Sequence, residues 1–229
     1  MVKTITGNMT LGETVTEVPR AGNILREMHI DFVNGGDRKL SDAAFEQGVP
    51  LENILYEINA LDTENADGID IKYMDELSII KYIQRRYHED LKDELPVLAP
   101  YVEKVADENE ALSEVGEIFK SLRKSMAEHS EEEDVNVFPL LESYIDDPSD
   151  SKREALKPRV EKIRNDHRDI TDFFHRLREI TNDFTPYAGA NGVLRLVYDR
   201  LERLERDTLD HIHLENNILF QRVKSKVQG

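Results

Sequence analysis

The stretch 211-HIHLENNILF-220 repeats the skeleton of an earlier stretch, 129-HSEEEDVNVF-138. Each has a histidine, a glutamate four residues later and a phenylalanine five residues after the glutamate. On an α-helix, residues four apart lie on one face, so each stretch presents an imidazole nitrogen and a carboxylate together, and the phenylalanine is expected as an apolar lid or core residue further along. Two such helices packed face to face would assemble two histidines and two glutamates. This nitrogen and oxygen set suits iron, manganese or zinc.

The composition narrows the class of protein. The chain has 229 residues, a net charge of −17 at pH 7 and no cysteine. The acidic charge argues against binding to nucleic acid or to an anionic membrane surface, because both attract Lys and Arg. Without cysteine there is no disulfide and no thiolate-bound iron–sulfur cluster. No N-terminal signal is visible and no apolar run approaches the roughly 18–20 residues of a membrane span, so the sequence predicts a cytoplasmic protein.

Apolar periodicity after Met74 predicts a bundle. Four long helices are predicted, over about 75–107, 111–146, 155–183 and 193–226. Long helices joined by short loops are typical of an up-down-up-down four-helix bundle, whose inward faces commonly hold metal ligands. Because strand signals are nearly absent, the predicted fold class is all-α.

A small helical N-terminal domain, residues 1–66, is predicted in front of the bundle, residues 72–226. Residues 1–16 are polar and rich in threonine, and are predicted to be extended or loosely ordered. Three short helices are predicted next, over 21–29, 42–47 and 51–61. Ser41 is the predicted cap of the second, and the polar segment 62–70 is the predicted linker. Three short helices bury little surface, so this domain is expected to pack against the bundle or a second copy of the chain, as in a homodimer.

A metal site inside the bundle would draw a ligand from every long helix. His88 on the first helix and His167 on the third are both flanked by apolar residues at helical spacing, which places them on or beside a buried face. The predicted ligands are His88, His129, Glu133, His167, His211 and Glu215. Two imidazoles would bind each of two metal ions, and the carboxylates would bridge them together with an oxo or hydroxo group, at a separation of about 3.5–4 Å. A single histidine on such a face is more often a core residue. The metal hypothesis therefore depends on two His-Glu-Phe repeats occurring together with one inward histidine on each of the other two helices.

Several neighbouring residues have predicted roles around this site. His213 lies two residues from His211, roughly 200° around the helix, and is expected at the surface or beside the ligands. Asp166 and Asp210 each precede a predicted ligand and are expected to orient it. Glu131 and Glu132 are expected to face solvent.

The chain resembles the di-iron iron–sulfur cluster repair family, also called Repair of Iron Centres proteins. The stretches 129-HSEEEDVNVFP-139 and 211-HIHLENNILF-220 are similar to the HxxxE…FP and HIHLEN motifs of its hemerythrin-like domain. The resemblance implies the same six ligands, with Glu133 and Glu215 bridging two iron ions. The segment 30-IDFVNGGDRKLSDAAFEQGV-49 is similar to the family's IDFCCGG segment. Val33 and Asn34 replace its two cysteines, so the resemblance does not extend to a role that needs those thiols.

This resemblance implies a non-haem di-iron protein that repairs or protects iron–sulfur clusters under nitrosative or oxidative stress, through NO binding or reduction or through iron donation. Iron–sulfur proteins would be its clients, and NO and O2 its small ligands. Manganese or zinc could substitute for iron. An alternative is a hemerythrin-like module that binds or senses O2 or NO without turnover, and a third is an oxidase that reduces peroxide or O2. The motifs do not separate these, so enzyme activity stays open.

Overall fold

The computed structural model describes residues 4–61 and 71–228, and the predicted linker lies outside them. Regular structure in these residues is helical, and the β-type pairing found there is one isolated antiparallel bridge between Thr10 and Lys39. The predicted all-α class is therefore confirmed. The chain forms two compact units: unit 1 comprises Met1–Ile79 and Asp210–Gly229, and unit 2 comprises Ile80–Leu209. None of the described helices combines the length and apolar character that a membrane crossing requires.

Unit 1 contains four short helices near the N-terminus. They are α1 (Leu11–Glu17), α2 (Ala21–Glu27), α3 (Leu40–Gln47) and α4 (Leu51–Asn59). The expectation that residues 1–16 are extended or loosely ordered was wrong for α1. Its start is a capping box, in which Thr10 Oγ1 accepts from the Glu13 N–H and the Glu13 carboxylate accepts from the Thr10 N–H. Leu11 and Val15 then lie four apart and are both buried, so the helix is held by its cap and by packing.

Helix α3 starts earlier than the sequence predicted. It begins at Leu40, and Ser41 is not its cap but lies in the first turn, where its hydroxyl is 3.2 Å from Asp42 Oδ1. Leu40 is fully buried and its N–H donates to the Met9 carbonyl at 2.9 Å, which fixes the helix start before Ser41. The helix ends at Gly48, as predicted, with a left-handed φ of 70° that glycine adopts without strain.

Four long helices contribute to unit 2, as predicted. The first consists of α5 (Glu76–Ile83), a π-helical turn π1 (Gln84–His88) and α6 (Glu89–Glu108). The second consists of α7 (Ser113–Glu132), turn π2 (Glu133–Val137) and α8 (Phe138–Asp146). The third is α9 (Asp150–Thr181), and the fourth begins as α10 (Gly192–His213). Along the chain α10 is followed by π3 (Leu214–Leu219) and α11 (Phe220–Gln228), which belong to unit 1.

The four-helix bundle of unit 2 is packed on an apolar core. Its buried side chains include Leu98, Val102, Phe119, Leu122, Ile163, Ile170, Phe174, Val197 and Leu201. Helix α6 continues past Pro96 and Pro100, and the turn π2 lies just before Pro139. Because proline has no N–H, Pro139 cannot donate to the Val135 carbonyl, which favours a wider turn just before it.

Candidate metal centre

Three of the predicted ligands lie in π-helical turns. His88 is the last residue of π1, Glu133 is the first of π2 and Glu215 lies in π3. Each turn is closed by a hydrogen bond across five residues, for example from the Phe138 N–H to the Glu133 carbonyl. Such turns hold one residue more than an α-helical turn and are frequent at functional sites, because the extra residue re-aims the side chains beside it. The sequence repeat did not reveal these turns.

Four of the six predicted ligands come together in unit 2. Glu133 Oε2 lies 3.3 Å from His88 Nε2 and 3.2 Å from His129 Nε2. His167 Nε2 lies 3.2 Å from His129 Nε2. His129 is 4% exposed and the other three side chains are fully buried. Phe138 stacks on the His88 ring at 5.8 Å, which is the apolar cover that the sequence predicted.

His211 and Glu215 form a corresponding pair in unit 1. His211 Nε2 lies 3.0 Å from Glu215 Oε1, and both side chains are buried. The pair spans the junction of α10 with π3, as His129 and Glu133 span the junction of α7 with π2. The repeated motif therefore produces the same local geometry twice.

The donor atoms fit a metal ion. Two ligands that bind one ion at about 2.1 Å are held roughly 3 Å apart, and the nitrogen and oxygen atoms here are separated by 3.0–3.3 Å. The ligand atoms of His129, Glu133 and His167 also lie within 4.8 Å of one another. A buried carboxylate beside imidazoles gains from a cation that offsets its desolvation. The set of nitrogen and oxygen donors suits a transition metal rather than Ca²⁺ or Mg²⁺.

Asp134 contacts the predicted ligand His88 from outside this cluster, and sequence reasoning missed it. Its Oδ1 lies 2.8 Å from His88 Nδ1 and accepts from Gln84 Nε2 at 3.1 Å, while its Oδ2 accepts from Lys92 Nζ at 3.2 Å. Burial alone would raise the pKa of Asp134, but the hydrogen bonds from His88, Gln84 and Lys92 outweigh it and lower this pKa to about 2. Asp134 was hidden in the acidic run 131–134, whereas the spacing of Gln84, His88 and Lys92, four residues apart, was a signal for it.

The other residues with predicted roles around the predicted ligands differ in their contacts. Asp166 Oδ2 lies 3.9 Å from His129 Nδ1, which is too long for a direct hydrogen bond. The pKa of Asp166 is lowered by the His129 ring and by Lys162, whose ammonium donates at 3.0 Å. Glu131 is exposed, as predicted, but Glu132 is half-buried because Arg159 donates to it at 3.1 Å. The orienting role of Asp210 stays a prediction.

His213 is buried, so of its two expected positions, at the surface or beside the predicted ligands, the first is wrong. Its Nε2 is 3.3 Å from Thr16 Oγ1 and its Nδ1 accepts from Asn217 Nδ2 at 3.1 Å, while its ring packs against Phe32 at 6.0 Å. Burial lowers the pKa of His213 to about 4, so the ring is neutral at pH 7. Within unit 1, His213 is covered by α1 and by Phe32.

The turn π3, which follows His213 in the chain, makes hydrogen bonds to the segment that contains Val33 and Asn34. Asn216 Nδ2 donates to the Val33 carbonyl at 3.2 Å, and Asn217 Nδ2 donates to the Phe32 carbonyl at 3.0 Å. Asp31 Oδ1 accepts from the N–H groups of Val33 and Asn34 at 3.0 and 2.9 Å. These contacts use the main chain of the segment, so they do not depend on which side chains stand at positions 33 and 34.

Two family models of known proteins match two different parts of the chain. A family model described as the hemerythrin HHE cation binding domain matches residues 80–223. A second model, described as a domain of unknown function (ScdA_N), matches residues 7–62. The bundle and its buried histidines and glutamate thus define a hemerythrin-type cation-binding domain.

The relatives extend over nearly the whole chain. Iron-sulfur cluster repair protein ScdA of Staphylococcus haemolyticus is 34% identical over 227 residues, which cover 95% of this chain and 99% of that protein. The ScdA protein of Staphylococcus epidermidis is 33% identical and covers 96% of this chain and 99% of its own. Iron-sulfur cluster repair protein YtfE of Pectobacterium atrosepticum is 27% identical, with 94% and 96% covered. The chain belongs to the family of iron–sulfur cluster repair proteins.

Proposed function

We propose that this chain is a cytoplasmic non-haem di-iron protein that repairs or protects iron–sulfur clusters under nitrosative or oxidative stress. The observation that carries the proposal is the buried cluster of three histidines and Glu133 in unit 2. Relatives that are named iron–sulfur cluster repair proteins match the chain over nearly their full length, which supports the same role here. Its clients would be iron–sulfur proteins.

The proposed metal ligands are the six residues that the sequence predicted. They are His88, His129, Glu133, His167, His211 and Glu215. The separations of 3.0–3.3 Å within each group and the repeated His-Glu geometry support this assignment. In the proposal, two imidazoles serve each of two irons and the two glutamates bridge them. Iron, rather than manganese or zinc, is part of the proposal, because the same donors accept all three metals.

A bound iron pair would supply redox-active ions with positions for NO or O2, and a store of iron for transfer to a damaged cluster. The chain's own residues prepare that site. Burial excludes bulk water from the ligands, and Phe138 covers the His88 ring. Asp134, which is ionised at neutral pH, accepts from His88 Nδ1 and so leaves Nε2 directed at Glu133.

A second candidate is a hemerythrin-like module that binds or senses O2 or NO without turnover. The match to the hemerythrin domain favours it. So does the replacement of the family's cysteine pair by Val33 and Asn34, because a relay through those thiols is not available here. The two candidates share one metal centre and differ in whether the bound ligand is converted or simply released.

Reactivation of a damaged enzyme separates these candidates. An iron–sulfur enzyme inactivated by NO would be incubated anaerobically with the iron-loaded protein, and its recovered activity and any N2O would be measured. Repair predicts recovery with the wild type and with Glu131→Ala, whose side chain is exposed on the same helix, and none with Glu133→Ala. Reversible O2 or NO binding with neither recovery nor N2O would contradict repair and favour the binding module.

A further inference from the structure

Three hydrogen-bond donors of one helix converge on a single carboxylate of the next. Gln84, His88 and Lys92 are spaced four apart and share a face of the first long helix, and all three contact Asp134. The contact between Asp134 Oδ1 and His88 Nδ1, at 2.8 Å, is the shortest of the three. Because Lys92 can only donate and Gln84 presents its Nε2 group, a carboxylate with two accepting oxygens matches the site better than an amide.

The burial of these groups places Asp134 between the ligand and solvent. The His88 side chain is fully buried, that of Asp134 is 20% exposed and that of Lys92 is 64% exposed. Asp134 is therefore held on its inner side by His88 and Gln84, while solvent weakens the contact from Lys92 on its outer side. The two inner contacts restrict the carboxylate, and the restricted carboxylate in turn restricts the imidazole ring.

We propose that Asp134 is a positioning residue for His88. It accepts the Nδ1 proton and thereby fixes the tautomer and ring orientation with which Nε2 addresses the metal centre. The inference rests on the metal centre proposed above, and Asp134 acts on it only through His88. The corresponding carboxylate near His129, that of Asp166, lies at 3.9 Å, so its influence is weaker. The loss of Asp134 therefore affects one of the two metal ions.

Metal release tests this role without relying on activity. The wild type, Asp134→Ala, Asp134→Asn and the matched control Glu131→Ala, which changes an exposed carboxylate on the same long helix, would be loaded with Zn²⁺ and mixed with a colorimetric chelator. Groups that orient a ligand histidine typically change metal affinity by about 10–100-fold. One of the two zinc ions is expected to leave Asp134→Ala about 10–100-fold faster, while both leave Glu131→Ala at the wild-type rate. Asp134→Asn should lie between, because it keeps one acceptor oxygen.

A second readout distinguishes positioning from a structural role. In the Co²⁺-substituted protein, the visible absorption of one ion should change in Asp134→Ala, whereas a residue that only stabilises the fold would leave that absorption unchanged. Wild-type release rates in both Asp134 variants would overturn the inference and leave the metal centre intact. A wild type that binds no pair of metal ions would instead overturn the proposed function. If Asp134→Ala does not fold, the isosteric Asp134→Asn decides the question.

Discussion

Arg176 and Arg178 lie two residues apart on α9, but Arg178 is buried and Arg176 is exposed. Their ion pairs therefore contribute differently to stability. Arg178 Nε and Nη2 donate to the two carboxylate oxygens of Glu205 at 2.7 and 2.6 Å, and both side chains are almost fully buried. Burial alone would lower the pKa of Arg178, but Glu205 and Asp183 raise it, so the guanidinium stays charged. Arg176 is 49% exposed and pairs with Glu114 and Glu179 at the surface. Solvent weakens the surface ion pairs of Arg176, but it does not reach the buried pair of Arg178 and Glu205.

Replacing one partner of the buried pair should therefore be costly. Arg178→Met would leave the Glu205 carboxylate buried without its counter-charge, and should lower the free energy of unfolding by about 3–5 kcal/mol. Arg176→Met, the matched control on the same helix, should leave the free energy of unfolding close to that of the wild type, because solvent screens its surface ion pairs. Chemical denaturation of both variants measures the difference. Equal losses in the two variants would contradict this assignment.

Gly36 has no room for a side chain. A Cβ atom there would lie 2.0 Å from Asn217 Oδ1, and Asn217 is held in place by its bond to the Phe32 carbonyl. Gly36→Ala should therefore lower the free energy of unfolding by about 1–3 kcal/mol. At Gly192 a Cβ would meet no described atom within 4 Å, so Gly192→Ala should be neutral or stabilising by up to about 1 kcal/mol. Thermal unfolding would be measured for both variants. A Gly36→Ala variant as stable as the wild type would contradict the close packing of Asn217 against Gly36.

At the scale of helices and turns, the sequence predicted those elements that the regular spacing of apolar residues determines. The four long helices were predicted because their apolar stripes extend over many turns. The π turns at His88, Glu133 and Glu215 were not, because one extra residue in a turn leaves no mark on composition or spacing. Helix α1 was missed because its threonine-rich surroundings suggested a loop, although Thr10 and Glu13 have the spacing of a capping box.

That cap can be tested directly. Thr10→Ala removes the oxygen that accepts from the Glu13 N–H at 3.1 Å, and should lower the free energy of unfolding by about 1 kcal/mol. Thr10→Ser keeps the hydroxyl and should stay near the wild type. Helix content by circular dichroism and denaturant titration would be measured for both. If Thr10→Ser loses as much stability as Thr10→Ala, the hydroxyl is not what stabilises α1.

At the scale of the whole molecule, the sequence predicted the local geometry of the two His-Glu pairs better than it predicted the residues around them. The His-Glu repeat required only helical geometry, and the contacts within each unit agree with it. Asp134 and His213 could not be placed, because their roles depend on which helix or segment covers them. Asp134 meets the first long helix, and His213 meets α1 and Phe32. Such contacts arise from tertiary packing, which periodicity in one chain segment does not specify.

Metal binding should stabilise the folded chain. Ions that bind only the folded state raise its stability by about 2.7 kcal/mol when the free metal is 100 times the dissociation constant. Chelation should therefore lower the melting temperature of the wild type and of Glu131→Gln, in which an exposed carboxylate is changed. Glu133→Gln, which alters a buried carboxylate that is a proposed ligand, should show a much smaller shift. Differential scanning calorimetry with and without chelator measures this, and an equal shift in Glu133→Gln would argue against its role as a ligand.

The most direct test of the metal centre is the iron content per chain of protein made in iron-supplemented cells. The wild type should contain about two irons per chain, and Glu133→Ala and Glu215→Ala should each contain fewer, because each removes a proposed bridging carboxylate. Glu131→Ala should match the wild type. One iron or none in the wild type, or two irons that survive both glutamate substitutions unchanged, would contradict the assignment and make the buried histidines core residues.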